Sequence, residues 1–259
     1  MSASNYSRFA QYVQDPDATR FLDHALQPKP GDRVLDFGCG SGNVTVDLAR
    51  RIGPTGFLVG VDPDEDRVSF AKKRFHNDEN VRIVRGSIDE AVEFGPFDVI
   101  NSTMVLFWIS PDKYDAILQK IFDLLVPGGR FGFTTLKDDE PGPRLGYLGQ
   151  LSANQYENSY EKFLSAVGLN YRSLSYWKEC LKRTSFELVH AVEEEREYVL
   201  PDDESLLVWW EATCYGRFSA ECATRNAEAH ETVLRQYGRK RNEPASIVST
   251  YVDVVVRKP

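Results

Sequence analysis

The sequence predicts an α/β fold, a mostly parallel sheet with helices on both faces and an antiparallel last strand, and three observations carry that prediction. Short apolar, β-branched runs alternate with segments of helical periodicity through the first half of the chain. Glycine clusters follow the first and precede the fifth of these runs, where the backbone must turn sharply. The chain closes with Ile247 to Arg257, whose Val252, Val254 and Val255 suit antiparallel pairing with the long extended run Phe186 to Leu200.

Taken in order, Ala18, Phe21, Leu22, Ala25 and Leu26 share one helical face of Asp17 to Leu26, and Pro28, Pro30 and Gly31 stop that helix. Arg33 to Phe37 is the first strand. It is followed by Gly38, Gly40 and Gly42 and by a helix with Val44, Leu48 and Ile52 four residues apart, ended by Gly53 and Pro54. Phe57 to Val61 is the second strand, closed by Asp62 and Pro63, and the next helix carries Val68, Ala71 and Phe75. Val81 to Val84 and Phe97 to Ile100 are the third and fourth strands. A helix with Tyr114, Ile117, Leu118, Ile121 and Leu125 on one face ends at Pro127-Gly128-Gly129, and Phe131 to Leu136 is the fifth strand. This rhythm implies right-handed crossovers and ligands bound at the carboxyl ends of the strands.

After Lys137 the rhythm breaks. Asp138 to Arg144 is rich in charge, proline and glycine; Tyr147 to Leu174 reads as mostly helical and aromatic, Tyr176 to Leu181 as a helix, and Asp202 to Tyr237 as two helices. The expectation is a single domain over 1–259 with a core of 17–136, 176–200 and 246–259 and helical cap insertions at about 138–175 and 201–245.

The chain's 259 residues suffice for one core with an attached cap. Its 31 Lys and Arg against 39 Asp and Glu give a net charge of -8, which argues against nucleic acid as the partner. No segment approaches about 18 continuous apolar residues, and Met1 to Tyr6 lacks the regions of a leader, so a cytoplasmic location without a membrane partner is expected. Cys39, Cys180, Cys214 and Cys222 show no CxxC spacing; reduced thiols are expected, a thiolate site built from the last three being the alternative. His24, His76, His190 and His230 read as structural or solvated, Glu193 to Glu197 as a solvated strand edge, and no metal is expected.

The most informative segment is Val34-Leu35-Asp36-Phe37-Gly38-Cys39-Gly40-Ser41-Gly42. Its glycines let the backbone approach a ligand closely, yet Asn43 stands where a dinucleotide fingerprint wants its third glycine. That disfavours a pyrophosphate cradle. Asp36 instead offers a carboxylate that suits a cationic amine, held directly or through water. Asp62, about twenty residues on, ends the second strand, where an acidic side chain accepts hydrogen bonds from ribose hydroxyls. A plain strand-to-helix turn and a helix cap are the bland alternatives for the two motifs.

With these motifs the sequence resembles the class I S-adenosylmethionine-dependent methyltransferases over roughly Ala18 to Leu136, a Rossmann-like sheet of seven strands with helices on both faces and helical cap insertions. The glycine loop, Val59-Gly60-Val61-Asp62, Arg85-Gly86-Ser87-Ile88-Asp89, Phe97-Asp98-Val99-Ile100-Asn101-Ser102 and Leu125-Val126-Pro127-Gly128-Gly129-Arg130-Phe131 each look like a family motif. The resemblance implies S-adenosylmethionine as cofactor, S-adenosylhomocysteine as product and a small-molecule substrate. It places Asp36, Gly38 and Gly40 at the methionine end, Asp62 and Pro63 at the ribose, Ser87 and Ile88 at the adenine and Asn101 near the sulfur, with Asn43, Ser102 and Gln11 as further cofactor contacts.

Two departures stand out. Many relatives carry an acidic residue where Ser87 stands, so the adenine contact weakens or moves to Asp89. Where many read Leu-His-Trp, this chain reads Leu106-Phe107-Trp108, which removes a histidine base at that position. Within the family the plan looks most like the trans-aconitate and juvenile-hormone-acid methyltransferases, which methylate carboxylates. A carboxylate is ionised at neutral pH and needs no base. Trp108, Tyr12 and Trp210 are the candidates for positioning the substrate. Methylation of another small metabolite on nitrogen or oxygen, a noncatalytic cofactor-binding or interaction role, and a nicotinamide-dependent dehydrogenase, which the glycine spacing disfavours, are the other readings. Oligomeric state is undetermined.

Overall fold

The computed structural model describes residues 15–137, 168–201 and 246–259. Expectations that fall on residues 1–14, 138–167 and 202–245, which include most of both cap insertions, lie outside the described residues.

Among the described residues the first helix, α1, is α-helical over 15–21 and continues as a π-helix over Leu22–Leu26. Strand β1 (Arg33–Phe37) leads into α2 (Asn43–Ile52), and β2 (Phe57–Asp62) into α3 (Glu65–Arg74). The Asp64 side chain caps α3 by accepting the Arg67 N–H at 3.0 Å, with Glu65 and Asp66 in its first turn and Lys72, Lys73 and Arg74 in its last, complementing the helix dipole at both ends. After β3 (Val81–Arg85) comes a 3-10 segment, Ile88–Phe94, then β4 (Phe97–Thr103), two 3-10 turns at Leu106–Trp108 and Pro111–Lys113, and α4 (Tyr114–Leu124). The remaining elements are β5 (Leu125–Leu136), α5 (Leu174–Lys182), β6 (Glu187–Val199) and β7 (Ser246–Arg257).

The seven strands form one sheet in the order β3-β2-β1-β4-β5-β7-β6. β1 to β5 pair in parallel, and β7 runs antiparallel between β5 and β6, as expected for the last strand. Both faces are covered, so successive strand residues feed two cores. On one face Leu35, Val59, Val252 and Val254 pack with α4 and α5 through Leu118, Ile121, Trp177 and Cys180. On the other, Val34, Leu58 and Val255 pack with α1, α2 and α3 through Phe21, Leu22, Leu48 and Val68. α1 lies tightly on β5: a Cβ added at Gly132 would meet Leu26 Cδ1 and Phe21 Cζ at 2.8 Å. Cys180 is a buried, unbridged member of the first core. Among the described residues no helix is long and apolar enough to cross a membrane.

Two expectations change. Pro127-Gly128-Gly129 does not end α4, which stops at Leu124; Leu125 already pairs with Phe97, and the register then jumps so that Val99 meets Arg130. The glycines form an irregularity inside β5, held by the Gly128 N–H to Lys258 O (2.8 Å) and the Lys258 N–H to Gly129 O (2.9 Å). Likewise β6 is the sheet edge, but Arg196 in its acidic run is not solvated. Its guanidinium, 8% exposed, bonds the carboxylates of Asp17 on α1 and Asp253 on β7 and lies 4.7 Å from the Tyr251 ring centroid. Paired charges make that burial tolerable.

Candidate functional site

β1 lies between β2 and β4, and the chain leaves β1 for the α2 face and β4 for the α4 face. At such a reversal the helix-facing loops diverge and leave a crevice beyond the strand ends. A cavity of about 900 Å³ occupies it, walled by the glycine loop, the ends of β2 to β4 and one side of α4.

The glycine loop folds back on β2: the Gly38 and Cys39 N–H groups donate to Val61 O at 2.8 and 3.0 Å. Gly38 has φ +81°, and a Cβ there would lie 2.2 Å from Val105 Cγ2, so both backbone conformation and space demand glycine. The loop therefore brings bare backbone to the cavity wall at Gly38 and Gly40.

Beneath the loop lies a polar layer in which Asp36, Asn101 and Ser102 are buried. Asp36 is 2% exposed; Thr45 Oγ1 donates to its Oδ2 at 2.7 Å and Asn101 Nδ2 to its Oδ1 at 2.9 Å. Burial pushes its pKa up to about 6, against the lowering effect of those two hydrogen bonds, with the Asp62 charge adding to the rise. Thr103 Oγ1 donates to Asn101 Oδ1 (3.3 Å), and Ser102 Oγ to Phe37 O (3.2 Å). Asp36, Asn101 and Ser102 are thus placed under the floor and are not among the cavity-lining residues.

Asp62 does reach the cavity. Gly40 N–H donates to its Oδ2 (3.0 Å) and Asp64 N–H to its Oδ1 (2.9 Å), which aims the carboxylate and leaves it further lone pairs. Burial raises its pKa, opposed first by those two backbone donors. Pro63 adjoins it on the wall.

Ser87 and Ile88 line the far end. Ser87 is engaged in a capping box: its Oγ accepts the Asp89 N–H (3.2 Å), and its N–H donates to Glu90 Oε2 (2.6 Å). Asp89 also lines the cavity, paired with Lys120. Both are exposed, so that pair contributes little to stability. Lys113, Ala116, Ile117 and Lys120 present one stripe of α4 and the turn before it to the cavity.

Asn43, at the start of α2, donates from Nδ2 to both oxygens of Asp15 (3.2 and 3.3 Å) and accepts from Arg74 Nη1 (2.8 Å). Asp15 and Asn43 both line the cavity. Trp108 lines it too, whereas Phe107 beside it is buried, 5.2 Å ring to ring from Tyr171, and its carbonyl accepts the Asn170 N–H at 2.7 Å. Met104, on the same wall, holds φ +58°, rare for a side-chain-bearing residue, and its N–H donates to Thr134 O (2.9 Å).

Of the residues expected from sequence, Gly38, Gly40, Asn43, Asp62, Pro63, Ser87, Ile88 and Trp108 are thus brought to one cavity. Gln11, Tyr12 and Trp210 lie outside the described residues. Sequence reading missed Asp15, Arg67, Met104, Val105 and the α4 stripe. The i, i+3, i+4, i+7 spacing of residues 113, 116, 117 and 120 was the available signal for the stripe. Asp15 carries none.

A family model described as a methyltransferase domain matches residues 34–129, which contain the glycine loop, Asp62, Ser87, Asn101 and Trp108. The nocamycin O-methyltransferase of Saccharothrix syringae is 31% identical over 209 residues, covering 75% of this chain and 72% of that one. The trans-aconitate 2-methyltransferase of Deinococcus radiodurans is 28% identical over 211 residues, 78% of each. The crystal structure of a protein described as a putative methyltransferase from Bacillus halodurans shares the fold at a TM-score of 0.62 and 14% identity, over 94% of this chain and 99% of that one. The chain belongs to the class I S-adenosylmethionine-dependent methyltransferases.

Proposed function

We propose that the acceptor is a small molecule and that the methylated atom is a carboxylate oxygen. The observation that carries this reading is Phe107, which stands where many relatives carry a histidine and is buried against Tyr171 instead of lining the cavity. An acceptor already ionised at neutral pH needs no proton removed. The Lys113 ammonium on the cavity wall favours an anionic acceptor. One relative is named for an oxygen acceptor and another for trans-aconitate, itself a carboxylate.

The residues present fit the cofactor. Bound S-adenosylmethionine supplies an electrophilic methyl group on a sulfonium. In this reading Asp62 accepts the ribose hydroxyls, Ile88 and Ile117 flank the adenine ring, and the bare backbone at Gly38 and Gly40 lies along the amino-acid end. Asp36, Asn101 and Ser102 support the loop from below. Trp108 bounds the acceptor side, with Tyr12 and Trp210 as further positioning candidates, Gln11 as a further cofactor contact, and the insertions at about 138–175 and 201–245 as the cap. The chain's part is to hold acceptor and methyl group in line and exclude water. A cytoplasmic location suits this chemistry.

The test is methyl transfer from labelled S-adenosylmethionine to panels of carboxylic acids, phenols and amines, with Trp108→Ala alongside. Turnover of acids, with a rate flat from about pH 6.5 to 8.5 because the acid is already ionised, supports the reading. Turnover of amines or phenols only, rising with pH, overturns it.

A further inference from the structure

We infer that Asp15, on α1, is the carboxylate that receives the ammonium group of the cofactor's amino-acid end, in place of Asp36. The inference rests on the cofactor placement just proposed and adds a contact to it.

With the ribose at Asp62 and the adenine between Ile88 and Ile117, the amino-acid end falls where Gly38, Gly40 and Asn43 form the wall. This end carries one positive and one negative group. The start of α2, with its partial positive charge, favours the carboxylate. The ammonium needs an acceptor of opposite charge, and the sequence offers Asp36 for that task.

The structure withholds it. Asp36 is 2% exposed, held beneath the loop by Thr45 and Asn101, and is not among the cavity-lining residues. Asp15 has the opposite setting. It lines the cavity, and Asn43 holds both its oxygens through one amide nitrogen. Two carboxylate oxygens have about four acceptor positions, so a second donor still has room. Arg74 bonds Asn43 from behind and fixes the amide orientation. Partial burial raises the Asp15 pKa ahead of the lowering effects of Asn43 and Arg74, a penalty that an arriving ammonium offsets.

The position of Asp15 is set from elsewhere in the fold. Two residues along α1, Asp17 is 1% exposed; it is bonded by the Arg196 guanidinium and accepts the Tyr198 hydroxyl at 2.7 Å. Arg196 in turn joins Asp253 on β7. The sheet's far edge thereby anchors the helix that presents Asp15 to the cavity.

Calorimetric titration tests this with two ligands, S-adenosylhomocysteine and its deaminated analogue adenosyl thiobutyrate, against wild type, Asp15→Asn and Asp36→Asn. Wild type is expected to prefer S-adenosylhomocysteine by about 10- to 100-fold, the size of a charge-assisted hydrogen bond. Asp15→Asn is expected to abolish that preference while binding the analogue as wild type does, and Asp36→Asn to retain it. Unchanged S-adenosylhomocysteine affinity in a folded Asp15→Asn protein overturns the inference, as does equal weakening toward both ligands, which marks a wall residue only. Both results leave the cofactor pocket standing. Absence of S-adenosylhomocysteine binding by folded wild type overturns the pocket assignment and this inference together.

Discussion

Asn101 Nδ2 donates to Asp36 Oδ1 at 2.9 Å, tying β4 to β1 across the point where the strand order reverses. Both side chains are buried, with no polar solvent to replace a lost partner. Asn101→Ala therefore leaves a half-satisfied buried carboxylate and is expected to destabilise the protein by about 1–3 kcal/mol. Urea unfolding at neutral pH measures this. A midpoint equal to wild type would mean that the bond contributes nothing.

The same carboxylate predicts an unusual pH dependence. Burial lifts Asp36 from 3.8 to about 6, so the folded state holds its proton more tightly than the unfolded state. Its stabilising contribution is complete below the unfolded pKa and is lost as pH rises through the folded one. Asp15, Asp17 and Asp62 are raised as well. Stability is expected to be greater at about pH 5 than at about pH 7.5, by roughly 1–1.5 kcal/mol from Asp36. Unfolding midpoints at the two pH values decide it, and Asp36→Asn should flatten the profile. A wild-type midpoint that is flat or falls on acidification to pH 5 contradicts the shift.

Gly38→Ala combines two penalties, the left-handed backbone and a Cβ only 2.2 Å from Val105 Cγ2. Pairing it with Val105→Ala separates them. The single variant is expected to lose more than about 3 kcal/mol and its S-adenosylhomocysteine binding, and the double variant to recover all but the backbone part of about 1–2 kcal/mol. Failure of the double variant to recover any stability would assign the whole effect to the backbone.

Arg196→Met removes the cation shared by Asp17 and Asp253 and leaves two buried carboxylates facing each other. A loss of about 3–5 kcal/mol is expected, with faster amide exchange over residues 15–26 than over β1 to β4. Uniform exchange changes would show that the network stabilises the whole sheet and not the α1 attachment in particular.

Phe107→His does not create a base, because this side chain is buried against Tyr171 and does not line the cavity. The expected result is a stability loss of about 1–3 kcal/mol from a buried polar ring and an unchanged pH–rate profile for methyl transfer. A new rate-controlling ionisation near the histidine range would show that this side chain reaches the cavity.

The sequence by itself determined the sheet, the glycine loop and which strand-end residues line the cavity. Period-two and period-3.6 apolar patterns report burial on opposite faces, and the positive φ of Gly38 leaves its mark as residue type. Gly40, Asp62, Pro63, Ser87 and Ile88 were legible for the same reason: each ends a strand or follows a strand end within a few residues, where chain direction fixes position. Only the tertiary structure decided which carboxylate faces the cavity and which lies under its floor. Asp36 is held by Thr45 and Asn101 and Asp15 by Asn43, partners supplied from α2 and β4 that no local spacing encodes. Arg196 lay in an acidic edge strand that reads as solvated, and became buried because α1 and β7 bring Asp17 and Asp253 to it from sequence distances of 179 and 57 residues. Long-range pairing of charges depends on chain packing, so it left no pattern for the sequence to show.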